Sequence, residues 1–115
     1  MKDIERLKKE MVKFRDERNW KKFHNPKDLA ISIVLEAGEL LEIFQWVSEK
    51  DLNRMIIERK KDIEDEIADI FLYLLSLCDV LDVDLEKVTL RKLEENRRKY
   101  PVDKVKGKAV KYDNV

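Results

Sequence analysis

LEAGELLE, residues 35–42, sets two carboxylates, Glu36 and Glu39, about one helical turn apart in an otherwise apolar run. DEIADIFLYL, residues 65–74, repeats the arrangement with Glu66 and Asp69. Carboxylates inside apolar helices are expensive to bury, because an unpaired buried charge costs several kcal/mol. Two such pairs on successive helices have a cheap common solution, a hard divalent cation held by oxygen ligands. Magnesium suits that donor set and keeps positions open for water and phosphate oxygens. The spacing therefore predicts two packed helices and metal-assisted chemistry on a phosphorylated substrate.

Working outward, every periodic segment reads as helix. Ile4, Leu7, Met11 and Phe14 recur at helical spacing and predict an amphipathic helix over 3–18 with one narrow buried stripe. NWKKFHNPKD breaks the pattern, and Asn25-Pro26 marks a helix start. The second helix is expected from about Pro26 to Val47, with Leu29, Ile33, Val34, Leu40, Leu41 and Phe44 in one wide apolar sector. Ile31 and Leu35 lie on its far side, so this helix needs a second partner, and a second copy of the chain is the expected one. Gly38, costing about 1 kcal/mol in mid-helix, is read as a point of close helix approach. Ser48–Asp51 is a short polar connection. A single third helix is expected over 52–81, with Asp62, Glu66, Asp69 and Tyr73 on one stripe. Asp84 is the expected N-cap of a fourth helix, 85–99, with Val88, Leu90 and Leu93 as its apolar contacts. Pro101 stops it. Residues 1–101 are read as one all-α domain and 102–115 as a basic tail.

Composition narrows the function classes. Two Gly and two Pro leave few turns, which favours helices with few connections. Twenty-five basic residues balance twenty-five acidic ones, so no global field argues for nucleic acid or membrane as a partner. Cys78 is the single cysteine and is expected as a buried small hydrophobe. The segment MKDIERLKKEMVKF lacks an apolar signal core, and no apolar run reaches the ~20 residues of a membrane span. The expectation is a cytoplasmic protein.

The metal reading has a competitor in di-iron carboxylate bundles, which use E-x-x-H motifs. His24, the only histidine, sits near a loop, so all-oxygen ligation by magnesium, with manganese as a substitute, is expected. Trp20, His24, Trp46 and Tyr73 flank the acidic helices. Singly each reads as core packing, but flat side chains at helix ends can stack on a base. Asn96 can read a base edge, and Arg97 and Arg98 can take phosphate. Lys104, Lys106, Lys108 and Lys111 supply further cations.

FRDERNWKKFHNPKDLA, VLEAGELLEIFQW, DEIADIFLYLL and NRRKYPVDKVKGKAVKY together span residues 14 to 112. In these segments the chain resembles the MazG-like superfamily of all-α nucleotide pyrophosphohydrolases, and within it the dCTP pyrophosphatase branch. The resemblance implies a bundle of four main helices assembling as a dimer or tetramer. It implies magnesium on Glu36, Glu39, Glu66 and Asp69, with Glu36 or Glu39 as general base. It implies Trp20, His24, Trp46, Tyr73 and Asn96 around base and sugar, with Lys111 and Tyr112 reaching the phosphates. The implied reaction takes a nucleoside triphosphate, dCTP or a modified or non-standard dNTP, to monophosphate and pyrophosphate. The alternative is a non-catalytic helical protein that binds nucleotide or a partner.

Overall fold

The computed structural model describes residues 2–109, 111 and 113. All regular structure among them is helical: α1 (Lys2–Glu17), α2 (Pro26–Gln45), α3 (Leu52–Glu58), α4 (Lys60–Leu81), α5 (Leu85–Lys99) and α6 (Val102–Val105). Single 3-10 turns lie at Lys21–Phe23 and Glu49–Asp51.

The helix starts follow local chemistry. Asn25 caps α2, its side-chain oxygen accepting from the Asp28 N–H at 2.9 Å, and Pro26 occupies the first turn, where no N–H is needed. Asp84 caps α5 in the same way through the Lys87 N–H at 3.0 Å. Ser48 accepts from the Asp51 N–H and opens the short connection after α2. Asp82 ends α4 in the left-handed region, with φ 54°.

The chain divides into two compact units, residues 1–83 and 84–115. In the first, α4 is the central element, packed most extensively on α2 and next on α1. Leu75 of α4 and Leu29 of α2 are the most deeply buried apolar side chains, joined by Met11, Ile43, Met55 and Cys78. Truncating a core leucine such as Leu75 to Ala costs roughly 2–5 kcal/mol. In the second unit, α5 and α6 bury no residue.

Five expectations need correction. The third helix is not continuous: the chain leaves helical geometry at Arg59 (φ −112°, ψ 27°) and restarts as α4. On an unbroken helix Met55 would fall only about 20° from Glu66, in the acidic stripe. The break frees it from that phase, and Met55 is buried. Gly38 is not a close-approach point within the chain, because a Cβ built there meets nothing within 4 Å. The wide sector of α2 is only partly covered: Leu29 and Ile43 are buried, while Val34 and Leu41 are exposed, as are Ile31 and Leu35. On α1 the stripe is likewise open at Leu7 and Phe14, and the residue most buried there is Arg15. In the expected tail, residues 102–105 form one helical turn.

Candidate active site

Packing of α2 on α4 brings Glu36, Glu39 and Glu66 together, one carboxylate oxygen of each lying within 4.8 Å of the others. Asp69, one turn beyond Glu66, stands outside this triplet but close enough for its charge to act on both Glu36 and Glu66. One oxygen each of Glu36 and Glu66 is buried without a hydrogen-bond partner. Burial, hydrogen bonds shared with Glu66 and Glu39, and the charges of Glu39 and Asp69 push Glu36 up to about 7. Burial and the same acidic neighbours raise Glu66 as well, against a hydrogen bond from Glu36 that lowers it. Alone, the cluster is electrostatically frustrated; a hard cation satisfies the orphaned oxygens and the repulsion together, so the donor set fits a divalent metal. A cavity of about 500 Å³ opens beside Glu39 and Glu66, lined also by Glu42, Asp62, Asp65 and one cation, Arg59. Arg59 donates from Nε to Asp62 at 3.0 Å.

A second cavity, about 470 Å³, has an aromatic and apolar lining that includes Trp20, His24 and Tyr73. Asp69 also lines it, so it adjoins the carboxylates. The turn after α1 builds one wall. Asn19 takes a left-handed conformation, φ 54°, and the Trp20 N–H returns to the Arg15 carbonyl at 3.1 Å. The Trp20 ring meets Phe14 edge-on at 5.7 Å, and the Arg18 guanidinium lies 3.8 Å over the Phe14 ring. His24 follows the 3-10 turn; its Nδ1 is buried and unpartnered, and burial with the nearby Arg15 charge lowers its pKa. The neutral imidazole therefore dominates at neutral pH. Among the described residues, the buried side-chain atoms lacking a partner are His24 Nδ1, Glu36 Oε2 and Glu66 Oε2, all at this site.

Other expected residues lie elsewhere. Trp46 caps the end of α2, is 87% exposed and does not line the aromatic cavity. Asn96 is on α5 in the second unit, lining a shallow cavity of about 400 Å³ with Arg91 and Lys92. Lys104, Lys106, Lys108 and Lys111 are exposed, and Tyr112 lies outside the described residues. Sequence reasoning passed over Arg15, which lines the aromatic cavity at 2% exposure and pairs with Asp79 at 2.8 Å. The available signal was its place one turn after Met11 on the apolar stripe. Ser76 was also missed; it is 3% exposed and donates to the Met11 sulfur at 2.9 Å.

The family model of the MazG-like family matches residues 31–115. Over its whole length the chain is 36% identical to dCTP pyrophosphatase 1 of Rattus norvegicus, covering 67% of that protein. It is 34% identical to dCTP pyrophosphatase 1 of Homo sapiens over 97% of this chain and 65% of that one. The chain thus spans about two thirds of the length of these relatives. The crystal structure of a pyrophosphatase from Archaeoglobus fulgidus matches with a TM-score of 0.82 at 47% identity, over 86% of this chain and 93% of the other.

Proposed function

The chain belongs to the MazG-like family, and from that premise we propose that it hydrolyses a nucleoside triphosphate to the monophosphate and pyrophosphate, with dCTP or a modified cytosine or other non-standard dNTP as substrate. The observation that carries the reading is the set of orphaned buried atoms, two carboxylate oxygens facing each other's charge and one imidazole nitrogen in the adjoining aromatic cavity. Structural packing has no use for them; a metal-bound nucleotide has.

Glu36, Glu39, Glu66 and Asp69 would hold Mg²⁺, or Mn²⁺ in its place. When bound, such an ion neutralises triphosphate charge and lowers the pKa of a water ligand. The protein's own part is orientation and proton transfer. Glu36 or Glu39, whichever the metal uses less fully, accepts the proton of the attacking water. Trp20, His24 and Tyr73 receive the base and sugar beside Asp69. The family resemblance assigns Trp46, Asn96 and Lys111 to the substrate as well, Lys111 to the phosphates.

Assembly as a homodimer or homotetramer belongs to the same reading. Ile31, Val34, Leu35 and Leu41 of α2 are all exposed, and an apolar helix face of this kind on one chain calls for cover. Trp46, 87% exposed, is available to a second copy's site. No helix among the described residues is long and apolar enough to cross a membrane. The substrate class implies work in the cytoplasm.

The test is pyrophosphate release from a panel of dNTPs with Mg²⁺ or Mn²⁺. Release led by dCTP, and abolished by chelator, is expected. No release from any nucleotide with either metal overturns the proposal.

A further inference from the structure

We infer that Arg15 is a specificity-determining residue, its guanidinium donating to two adjacent acceptors on the base edge, the pattern that cytosine O2 and N3 present. The inference rests on the reading that the aromatic cavity receives the base.

Arg15 is 2% exposed and lines that cavity together with Trp20, His24, Tyr73 and Asp69. A guanidinium so deeply buried must be paired, and Arg15 is: Nη1 donates to Asp79 at 2.8 Å and Nε to Asp16 at 3.0 Å. These two bonds leave donors of the planar fork unused. Asp79 and Asp16 are themselves 25% and 51% exposed, so a staple between them needed no cation in the cavity wall. Glu10 and Asp69 also line the pocket, so Arg15 is the one permanent cation among its lining residues, held by Asp79 and Asp16 with part of its fork still free.

The fork matches neighbouring acceptors, as when arginine binds guanine O6 and N7. Cytosine offers O2 beside N3. Uracil and thymine carry a hydrogen on N3, which would face the guanidinium donor to donor. Adenine offers no adjacent pair of acceptors: its amino group stands beside N1 and N7, and N3 stands alone. His24 Nδ1, buried and unpartnered in the same cavity, supplies an acceptor for the amino group at C4 of cytosine. One donor fork and one acceptor describe the cytosine edge and no other pyrimidine's. A site built on such bonds rejects an analogue that leaves them unmade.

The experiment is calorimetric binding of dCMP, dUMP, dGMP and the 2-pyrimidinone analogue of dCMP to the full chain with Mg²⁺. The analogue keeps O2 and N3 and lacks the amino group. Wild type should bind dCMP about tenfold or more tighter than dUMP, the loss expected for charged hydrogen bonds left unmade, with the analogue between them. Arg15→Lys retains the charge but loses the fork; the dCMP-to-dUMP ratio should fall towards one with the melting temperature little changed. Asp79→Ala removes the ion pair and keeps the donors; it should lower the melting temperature and keep the ratio. Arg15 is a packing residue only, and the inference fails, if Arg15→Lys preserves the ratio or if Asp79→Ala loses it. Equal wild-type affinity for dCMP and dUMP, tighter dGMP than dCMP, or no nucleotide binding also overturns it. Pyrophosphate release measured alongside keeps the two readings apart. Selective dCMP binding without release removes the proposed reaction and leaves Arg15 its role; release without base selectivity does the reverse.

Discussion

Replacing Glu36 by Gln tests the carboxylate cluster where its electrostatics are strongest. Glu36 rises from its ordinary 4.5 to about 7, through burial, hydrogen bonds with Glu66 and Glu39, and the charges of Glu39 and Asp69. Between these two values the folded, metal-free chain keeps a proton that the unfolded chain has released, so stability falls as pH rises through that interval. At 1.36 kcal/mol per pH unit the ceiling on this loss is about 3 kcal/mol. The neighbouring acids share the proton, so an observed loss of about 1–3 kcal/mol is expected. For a domain of this size that is roughly 4 °C of melting temperature per kcal/mol. The assay is thermal unfolding by circular dichroism, in chelator and then in excess Mg²⁺, at about pH 5 and about pH 7.5. Metal-free wild type should melt lower at the higher pH by roughly 4–12 °C. Glu36→Gln, neutral throughout, should lose most of that slope and melt above wild type at the higher pH. Mg²⁺ should raise wild type there, by about 2.7 kcal/mol at a hundredfold excess over Kd, and raise the variant far less. An equal pH slope in both proteins, or an equal response to Mg²⁺, would refute the cluster as the origin of the effect.

Glu39→Gln and Asp69→Asn should each nearly abolish pyrophosphate release while circular dichroism remains that of the folded chain; full turnover by either would remove it from the metal site. Sedimentation should give a mass at least twice the 13.8 kDa of the chain, and Leu35→Glu should weaken the assembly, whereas a monomer at micromolar concentration would mean that the exposed apolar face of α2 has another purpose. Trp46→Ala should raise KM for every nucleotide, because stacking, worth about 1–3 kcal/mol per base, tolerates any base. Asn96→Ala should mainly flatten the preference among bases; unchanged ratios would remove Asn96 from the base edge.

The parts of the fold legible in the sequence were those encoded locally. Asn25-Pro26 and Asp84 announce helix starts through caps that need only the next three residues. The convergence of Glu36, Glu39 and Glu66 was legible because carboxylates in apolar helices have few explanations, and the structure brings them within 4.8 Å. What escaped depends on distant partners. Arg15 reads as a surface residue until Asp79, sixty-four positions away, is brought beside it. The break at Arg59 carries no Gly or Pro, so no local residue signal marks it. Gly38 has no close neighbour within the chain; a glycine's cost in a helix is local, while its justification by a packed helix is not. Trp20, His24 and Tyr73 were legible as base-stacking candidates from their places beside the acidic helices, Tyr73 also by its spacing from Glu66 and Asp69; their grouping in one cavity depends on packing that periodicity does not carry.

The break at Arg59 also works as a clutch. Adding one residue to an unbroken helix turns everything beyond it by about 100°, which here would carry Glu66 and Asp69 off their facing helix. Because α4 restarts at Lys60, the rotational setting of its carboxylates is reset downstream of α3. Length changes in the stretch from Ser48 to Glu58 are thereby absorbed before they reach the acids, and descendants of this chain are free to lengthen that stretch. Between Glu66 and Asp69 there is no such slack, and a single inserted residue would turn one acid about 100° away from the other.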